Sequence, residues 1–239
     1  MIDMSDLSLQ LKENFRLWKQ AEQQQPTRNV NNVELALTHP ENVDLRDFSK
    51  SQWYTPAQLA RRIAEWALAG LAPVPPSMLR VLEPSAGQGA LARPLRELGA
   101  HVLCVEIDAS NAALLMAAGF SVSHRDFLQP LTVPPVDLAV MNPPFEGGQT
   151  ERHVMQALRH APRVVCHCPL TTLAGKGRRD GLWSEVHLRR LVIHSARPNY
   201  GGSGGKTDMC TIDVVRRHEG APSMQGHVTA DGCNVEWWD

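Results

Sequence analysis

Two short stretches bring together residue types that could do chemistry. Residues 141–145, MNPPF, place a polar Asn, two stiff prolines and an aromatic directly after the apolar VDLAV. Proline can neither donate a ladder hydrogen bond nor continue a central strand, so a strand ends there. A rigid loop then follows at the carboxyl end of that strand, where open α/β sheets bind ligands. The second stretch, VLEPSAGQGAL at 81–91, runs from a strand ending in an acid into a glycine loop that opens a helix. Gly87 and Gly89 would let backbone approach a ligand closely, beside the positive end of that helix. Gly87, Gly89 and Ala92 also satisfy the dinucleotide pattern G-x-G-x-x-G/A, with Glu106 at about the distance where a ribose-binding acid is expected. Glycine loops also join strands to helices without any ligand, so this stretch alone leaves the ligand open.

Three other stretches carry less. GGSGGKT, 201–207, has the look of a phosphate loop, but G-x-x-x-x-G-K-[ST] needs glycine where Tyr200 stands, and the following MCTIDVV reads as strand. A hairpin loop is expected there. CHC at 166–168 has metal-ligating residue types, yet strand alternation sends Cys166 and Cys168 to one face and His167 to the other. Buried thiols are expected, and no metal site. The basic GKGRRDG, 175–181, offers Lys176, Arg178 and Arg179 to an anionic substrate, although a solvated charged face accounts for them equally well.

The elements that must hold these residues follow from periodicity. Leu7, Leu11, Phe15 and Trp18 recur at helical spacing in a head segment, 1–50, that ends as an arm and linker. A helix starting at Pro56 carries Leu59, Ile63 and Trp66 on one face. From there apolar strands alternate with helices: LRVLE, then Ala90 to Leu98, HVLCVE, Asn111 to Ala118, SVSH, VDLAV, Glu151 to His160, and RVVCHC. This alternation predicts a largely parallel sheet covered on both faces. RLVIHSA and DMCTIDVVRR add two strands around a glycine-rich loop, closing a core domain at 51–218 and leaving 219–239 as a tail with Trp237 and Trp238.

Composition bounds the function classes. The 239 residues are 43% hydrophobic, and no run of about 18 uncharged apolar residues offers a membrane span. The N-terminus lacks the basic and apolar regions of a secretory signal, and five scattered cysteines suggest reduced thiols, so a cytoplasmic location is expected. With 24 basic against 25 acidic residues, nucleic-acid binding must come from a local patch.

Taken in order, EPSAGQGAL, VEID at 105–108, RDFL at 125–128 and NPPF at 142–145 resemble the S-adenosylmethionine-dependent adenine-N6 DNA methyltransferases that carry the cofactor motif before the catalytic motif. YTPAQLA, 54–60, is similar to the segment that precedes the glycine loop in that family, and the resemblance spans residues 53 to about 215. It implies a Rossmann-like α/β fold with a mostly parallel seven-stranded sheet and an antiparallel hairpin near the C-terminus. S-adenosylmethionine is the implied cofactor and a nucleic acid, DNA first, the implied partner. Glu83 and the loop Pro84, Ser85, Ala86, Gly87 and Gly89 would cradle the methionine end. Glu106 would take the ribose hydroxyls, Ile107 and Phe127 would sandwich the adenine, and Asp126 would accept from its amine. Tyr54 and Thr55 would close over the methionine portion.

The resemblance also assigns chemistry to NPPF. An adenine amine is a poor nucleophile because its lone pair is delocalised into the ring. If the side-chain carbonyl of Asn142 and the main-chain carbonyl of Pro143 accept its two hydrogens, the nitrogen is drawn toward a tetrahedral form aimed at the sulfonium methyl. Pro144 helps fix the acceptors, and Phe145 offers a flat face to a base extruded from its helix. The spacing after Gly89 and Phe145 leaves no room within these 239 residues for the target-recognition domain usual in the family, so a short or relaxed sequence preference is expected, with Lys176, Arg178 and Arg179 on phosphates. RNA adenine, a protein glutamine amide, and a non-catalytic cofactor-binding module are the alternatives.

Overall fold

The computed structural model describes residues 55–195, 207–217 and 234–238. The head helix around Leu7 to Trp18, Tyr54 and most of the 199–207 loop lie outside the described residues. The first described helix, α1 (Ala57–Ala69), begins directly after Pro56, whose carbonyl takes the first helical bond from the Ala60 N–H at 2.8 Å. Its apolar face, with Ile63 fully buried, lies on the sheet.

Eight strands form one sheet: β1 (Arg80–Pro84), β2 (His101–Glu106), β3 (Ser121–His124), β4 (Leu138–Met141), β5 (Arg163–Pro169), β6 (Val186–His194), β7 (Met209–Arg216) and β8 (Asn234–Trp238). Their spatial order is β3-β2-β1-β4-β5-β7-β6-β8. Strands β1 to β5 pair in parallel, while β7 runs antiparallel to both β5 and β6. The predicted α/β sheet with its antiparallel C-terminal hairpin is therefore present. An eighth strand is added to the seven expected ones, drawn from the segment read as a tail and paired in parallel on β6. The chain builds outward from β1 through β2 to β3 and then returns to β4 on the other side of β1, so the strand order reverses between β1 and β4.

Helices α2 (Ala92–Glu97), α3 (Ala109–Ala117) and α4 (Gln149–Ala157) connect these strands, with two short helices, α5 (Lys176–Asp180) and α6 (Leu182–Glu185), before β6. Strand side chains alternate between faces. Val81 and Val140 join Leu95 and Leu115 of the helices on one side, while Leu82 and Met141 join Val154 and Trp183 on the other. Buried ion pairs set the frame. Arg80 is fully buried and donates from its backbone N and its Nε, each at 2.9 Å, to Asp137, which locks the entry of β1 beside that of β4. Asp213, equally buried, accepts from Arg163 Nε at 2.7 Å and Arg190 Nε at 2.6 Å, joining β5, β7 and β6.

The tail strand is held by aromatic and polar contacts. Trp66 Nε1 donates to Glu236 at 2.9 Å, and the Trp66 and Trp238 rings meet edge-to-face at 6.1 Å. Cys166 and Cys168 point into one core, with Cys168 Sγ 3.7 Å from Cys210 Sγ. His167 lies on the other face and shares the Thr211 hydroxyl with His194, at 3.1 and 2.9 Å.

Candidate active site

The carboxyl ends of β1, β2 and β4 and the loop after β3 open into a cavity of about 650 Å³, a size that suits a nucleotide-like ligand. The glycine loop forms its floor. Ser85, at φ 65°, and Gly87, at φ 55°, turn the chain sharply out of β1 and line the cavity with Ala86. Gly89 and Pro84 lie outside it. Gly89 holds φ 85°, a conformation other residues adopt with strain, and a Cβ there would stand 2.8 Å from Leu115 Cδ2 and push that methyl aside.

The loop is clasped by acids. Glu106 accepts from the backbone N–H of Gly87 at 2.6 Å and of Asp108 at 2.7 Å, which ties the glycine turn to the end of β2. Glu83 is almost fully buried on the cavity wall, and its Oε2 has no hydrogen-bond partner among the described residues. Burial and the nearby Glu106 carboxylate push the Glu83 carboxyl well above the usual range, against hydrogen bonds from the Ala92 and Leu91 backbone. Glu83, Glu106, Asp108 and Asp126 face the cavity beside one guanidinium, Arg125. Such a lining favours a ligand with positive charge. It disfavours a pyrophosphate, because amides at the start of α2 are already turned to Glu83 and that of Gly87 to Glu106.

Ile107 stands 64% exposed at the cavity mouth, an apolar side chain left in water where a flat ring could cover it. Phe127 lines the cavity from the other side but is only 3% exposed, packed against His153 at 5.7 Å and His160 at 6.1 Å. Asp126 accepts the Leu128 backbone N–H at 2.9 Å, which shapes the loop after β3.

The NPPF loop closes the remaining side. Asn142 Nδ2 donates to Thr55 Oγ1 at 2.9 Å, which ties the NPPF loop to the residue before α1. Thr55, Asn142, Pro143 and Pro144 all line the cavity. Beyond them Thr150 Oγ1 donates to the Pro144 carbonyl at 3.1 Å, and Gly147 and Gly148, at φ 59° and 73°, turn the chain into α4. The half-buried Phe145 lies outside the cavity. So do Lys176, Arg178 and Arg179 on α5, where Arg178 pairs with Glu151 and Arg179 with Asp180 at 2.7 Å. Arg178 and Glu151 border a second, glycine-lined depression of about 410 Å³.

The structure thus brings Thr55, Glu83, Ser85 to Gly87, Glu106, Ile107, Asp126, Phe127 and Asn142 to Pro144 around one space. It adds Gln149 and His153, which the sequence reading missed. A signal for His153 was present in QTERHVMQA, where Thr150, His153, Val154 and Ala157 fall on one buried helical face that two polar residues interrupt.

Neither a protein-family model nor a curated protein matches the sequence. Solved structures do. A proposed RNA methyltransferase from Pyrococcus horikoshii superposes with a TM-score of 0.59 at 19% identity, over 79% of this chain and 99% of the other. The 23S rRNA methyltransferase ErmE gives a TM-score of 0.52 at 23% identity, over 73% of each chain. The modification subunit of a proposed type I restriction enzyme from Vibrio vulnificus gives 0.51 at 16%, over 78% of this chain and 48% of the other. What this chain shares with all three is the fold.

Proposed function

We propose that this protein is an S-adenosylmethionine-dependent adenine-N6 methyltransferase acting on DNA. One observation carries the reading: a single acidic cavity joins the glycine loop, the strand-end Glu106 and the carboxamide of Asn142. In this reading Glu83 takes the cofactor's ammonium, Glu106 the ribose hydroxyls and Asp126 the adenine amine, with Ile107 over one face of the ring. The cofactor supplies an electrophilic methyl group. Asn142, anchored through Nδ2 by Thr55, turns its carbonyl to the target amine, and the Pro143 carbonyl takes the second hydrogen. These acceptors orient the nitrogen and stabilise the positive charge that grows on it during transfer. Phe145, at the edge of the loop, stacks the extruded base, while Lys176, Arg178 and Arg179 meet phosphates.

An RNA adenine is the second reading, since two of the similar structures are described as RNA methyltransferases. The test has two stages. Thermal unfolding with S-adenosylhomocysteine and, separately, NAD should show stabilisation by the first alone, because only a ligand of the folded state raises the melting temperature. Labelled S-adenosylmethionine is then offered with duplex DNA, single-stranded DNA, RNA and protein. Label on the adenine amine of DNA is expected, and label confined to RNA or protein would move the assignment there.

A further inference from the structure

The helical wall of the cavity carries a buried histidine to which the roles above give no part. His153 lies on α4, is 5% exposed, and lines the cavity one turn after Gln149. Its Nδ1 is 2.8 Å from the Gln149 carbonyl oxygen. A carbonyl can only accept, so Nδ1 holds the proton and Nε2 presents the lone pair of the neutral ring. Burial lowers its pKa below the ordinary 6.5, so that neutral form is the one present at pH 7. The ring packs against Phe127 at 5.7 Å, and the charge of Asp126 is close enough to act on it. Beside it the Gln149 side-chain oxygen is buried without a hydrogen-bond partner among the described residues. Asp126, His153 and Gln149 all line the cavity, and each carries an acceptor: the Asp126 carboxylate, His153 Nε2 and Gln149 Oε1.

The geometry points to His153 as a specificity-determining residue for the cofactor's purine, its Nε2 accepting one N–H of the adenine amino group while Asp126 accepts the other. The inference rests on the reading of this cavity as the S-adenosylmethionine site. An adenine amine carries two N–H donors and satisfies two acceptors. A 6-oxo purine presents a carbonyl at the same position, which would face the same acceptors without a proton between them. Protonating His153 turns Nε2 into a donor and weakens that preference, since Asp126 still accepts the other hydrogen. The groups that bias its titration are the Gln149 carbonyl and Asp126, which favour the charged ring, and Arg152, which opposes it. His160 packs on the same Phe127 ring.

The test is calorimetric titration of the full chain with S-adenosylhomocysteine and with its deaminated analogue, S-inosylhomocysteine, at neutral pH and at about pH 5, below the ordinary imidazole value. The wild type should prefer the adenosyl ligand by about tenfold or more, the scale of one mismatched polar contact in a closed site. His153→Phe should shrink that preference to a few-fold, and His153→Gln, whose amide oxygen can accept, should restore much of it. The wild-type preference should also narrow at the lower pH, and it should do so less in His153→Phe. An unchanged preference in a His153→Phe protein that unfolds at the wild-type temperature overturns the assignment. Should that variant fail to fold, a wild type that binds both ligands within about threefold of each other overturns it equally. If the wild type binds neither ligand, the reading of the cavity itself falls, which is a separate outcome from a bound ligand whose purine is not discriminated.

Discussion

Glu83 sits where its own charge is opposed, and the cost can be measured. Burial and the Glu106 carboxylate raise its pKa well above 4.5, so the folded chain keeps a proton that the unfolded chain has already lost. The corresponding stability is complete below about 4.5 and fades as pH rises toward the raised native value. Glu83→Gln should therefore raise the melting temperature at neutral pH, with the gain shrinking toward pH 4.5. An unsatisfied buried group costs about 1–3 kcal/mol, and a domain of this size shifts by about 2–4 °C per kcal/mol. The same variant should bind S-adenosylhomocysteine more weakly, since an ammonium beside the Glu83 carboxyl favours its ionisation and an amide cannot ionise. A lower melting temperature at neutral pH would show that the ionised form is stabilised in the free protein. Asn142→Ala should behave differently. Methyl transfer should fall by orders of magnitude while the Kd for S-adenosylhomocysteine stays within a few-fold, if the carboxamide acts on the target amine as proposed. Turnover assays beside calorimetry separate the two effects, and wild-type turnover would refute the orienting role. Residues such as Glu106 and Asn142 were legible in sequence because each ends or follows an apolar strand. The two hydrogen bonds by which Glu106 clasps Gly87 and Asp108 were not, since they join different loops.

At the scale of elements, the strands were readable wherever an apolar run of the right length met turn residues on both sides, as in HVLCVE and RVVCHC. Strand β8 was not, because NVEWW takes its place through partners far along the chain: β6 beside it and Trp66 of α1 bonded to Glu236. The site face of α4 was hidden for the same reason, since only packing beside the loop after β3 makes Gln149 and His153 cavity residues. The sheet half built from β5, β7 and β6 carries an acid-sensitive pair. Burial lowers His167 to about 3 and His194 to about 4, so the folded chain refuses protons that the unfolded chain accepts near 6.5. Their stability is present above 6.5 and is lost as pH falls toward those values. Denaturant unfolding at several pH values between about 6 and 4 should show this slope, and His167→Phe should reduce it by about 1.4 kcal/mol per pH unit, one proton's share. An unchanged slope would mean that acid unfolding starts elsewhere.

The molecule as a whole sets the last expectation, which concerns selectivity. Reading a base pair takes side chains held at its groove edge, each good bidentate contact discriminating by about 1–3 kcal/mol, so a long target needs several such contacts on a rigid support. Among the described residues every strand belongs to one sheet, the longer helices join or cover it, and no second module stands over the cavity mouth. Two of the cations on α5 are already engaged, Arg178 with Glu151 and Arg179 with Asp180. These pairs are partly exposed, and exposed pairs are worth little, so a phosphate can displace the carboxylate. With a net charge of −1 the protein has no global attraction for nucleic acid, and binding must rest on this local set. The three proposed phosphate contacts from Lys176, Arg178 and Arg179 would give a slope of log affinity against log salt of about −2.7, and Arg178→Ala should lower its magnitude by about 0.9 without altering which sites are modified. Titrations at several salt concentrations give the slope, and mapping of modified adenines on treated genomic DNA gives the preference. Methylation confined to one long motif would show that base readout comes from a part of the chain other than the sheet and its covering helices, and a slope unmoved by Arg178→Ala would place the phosphate contacts away from α5.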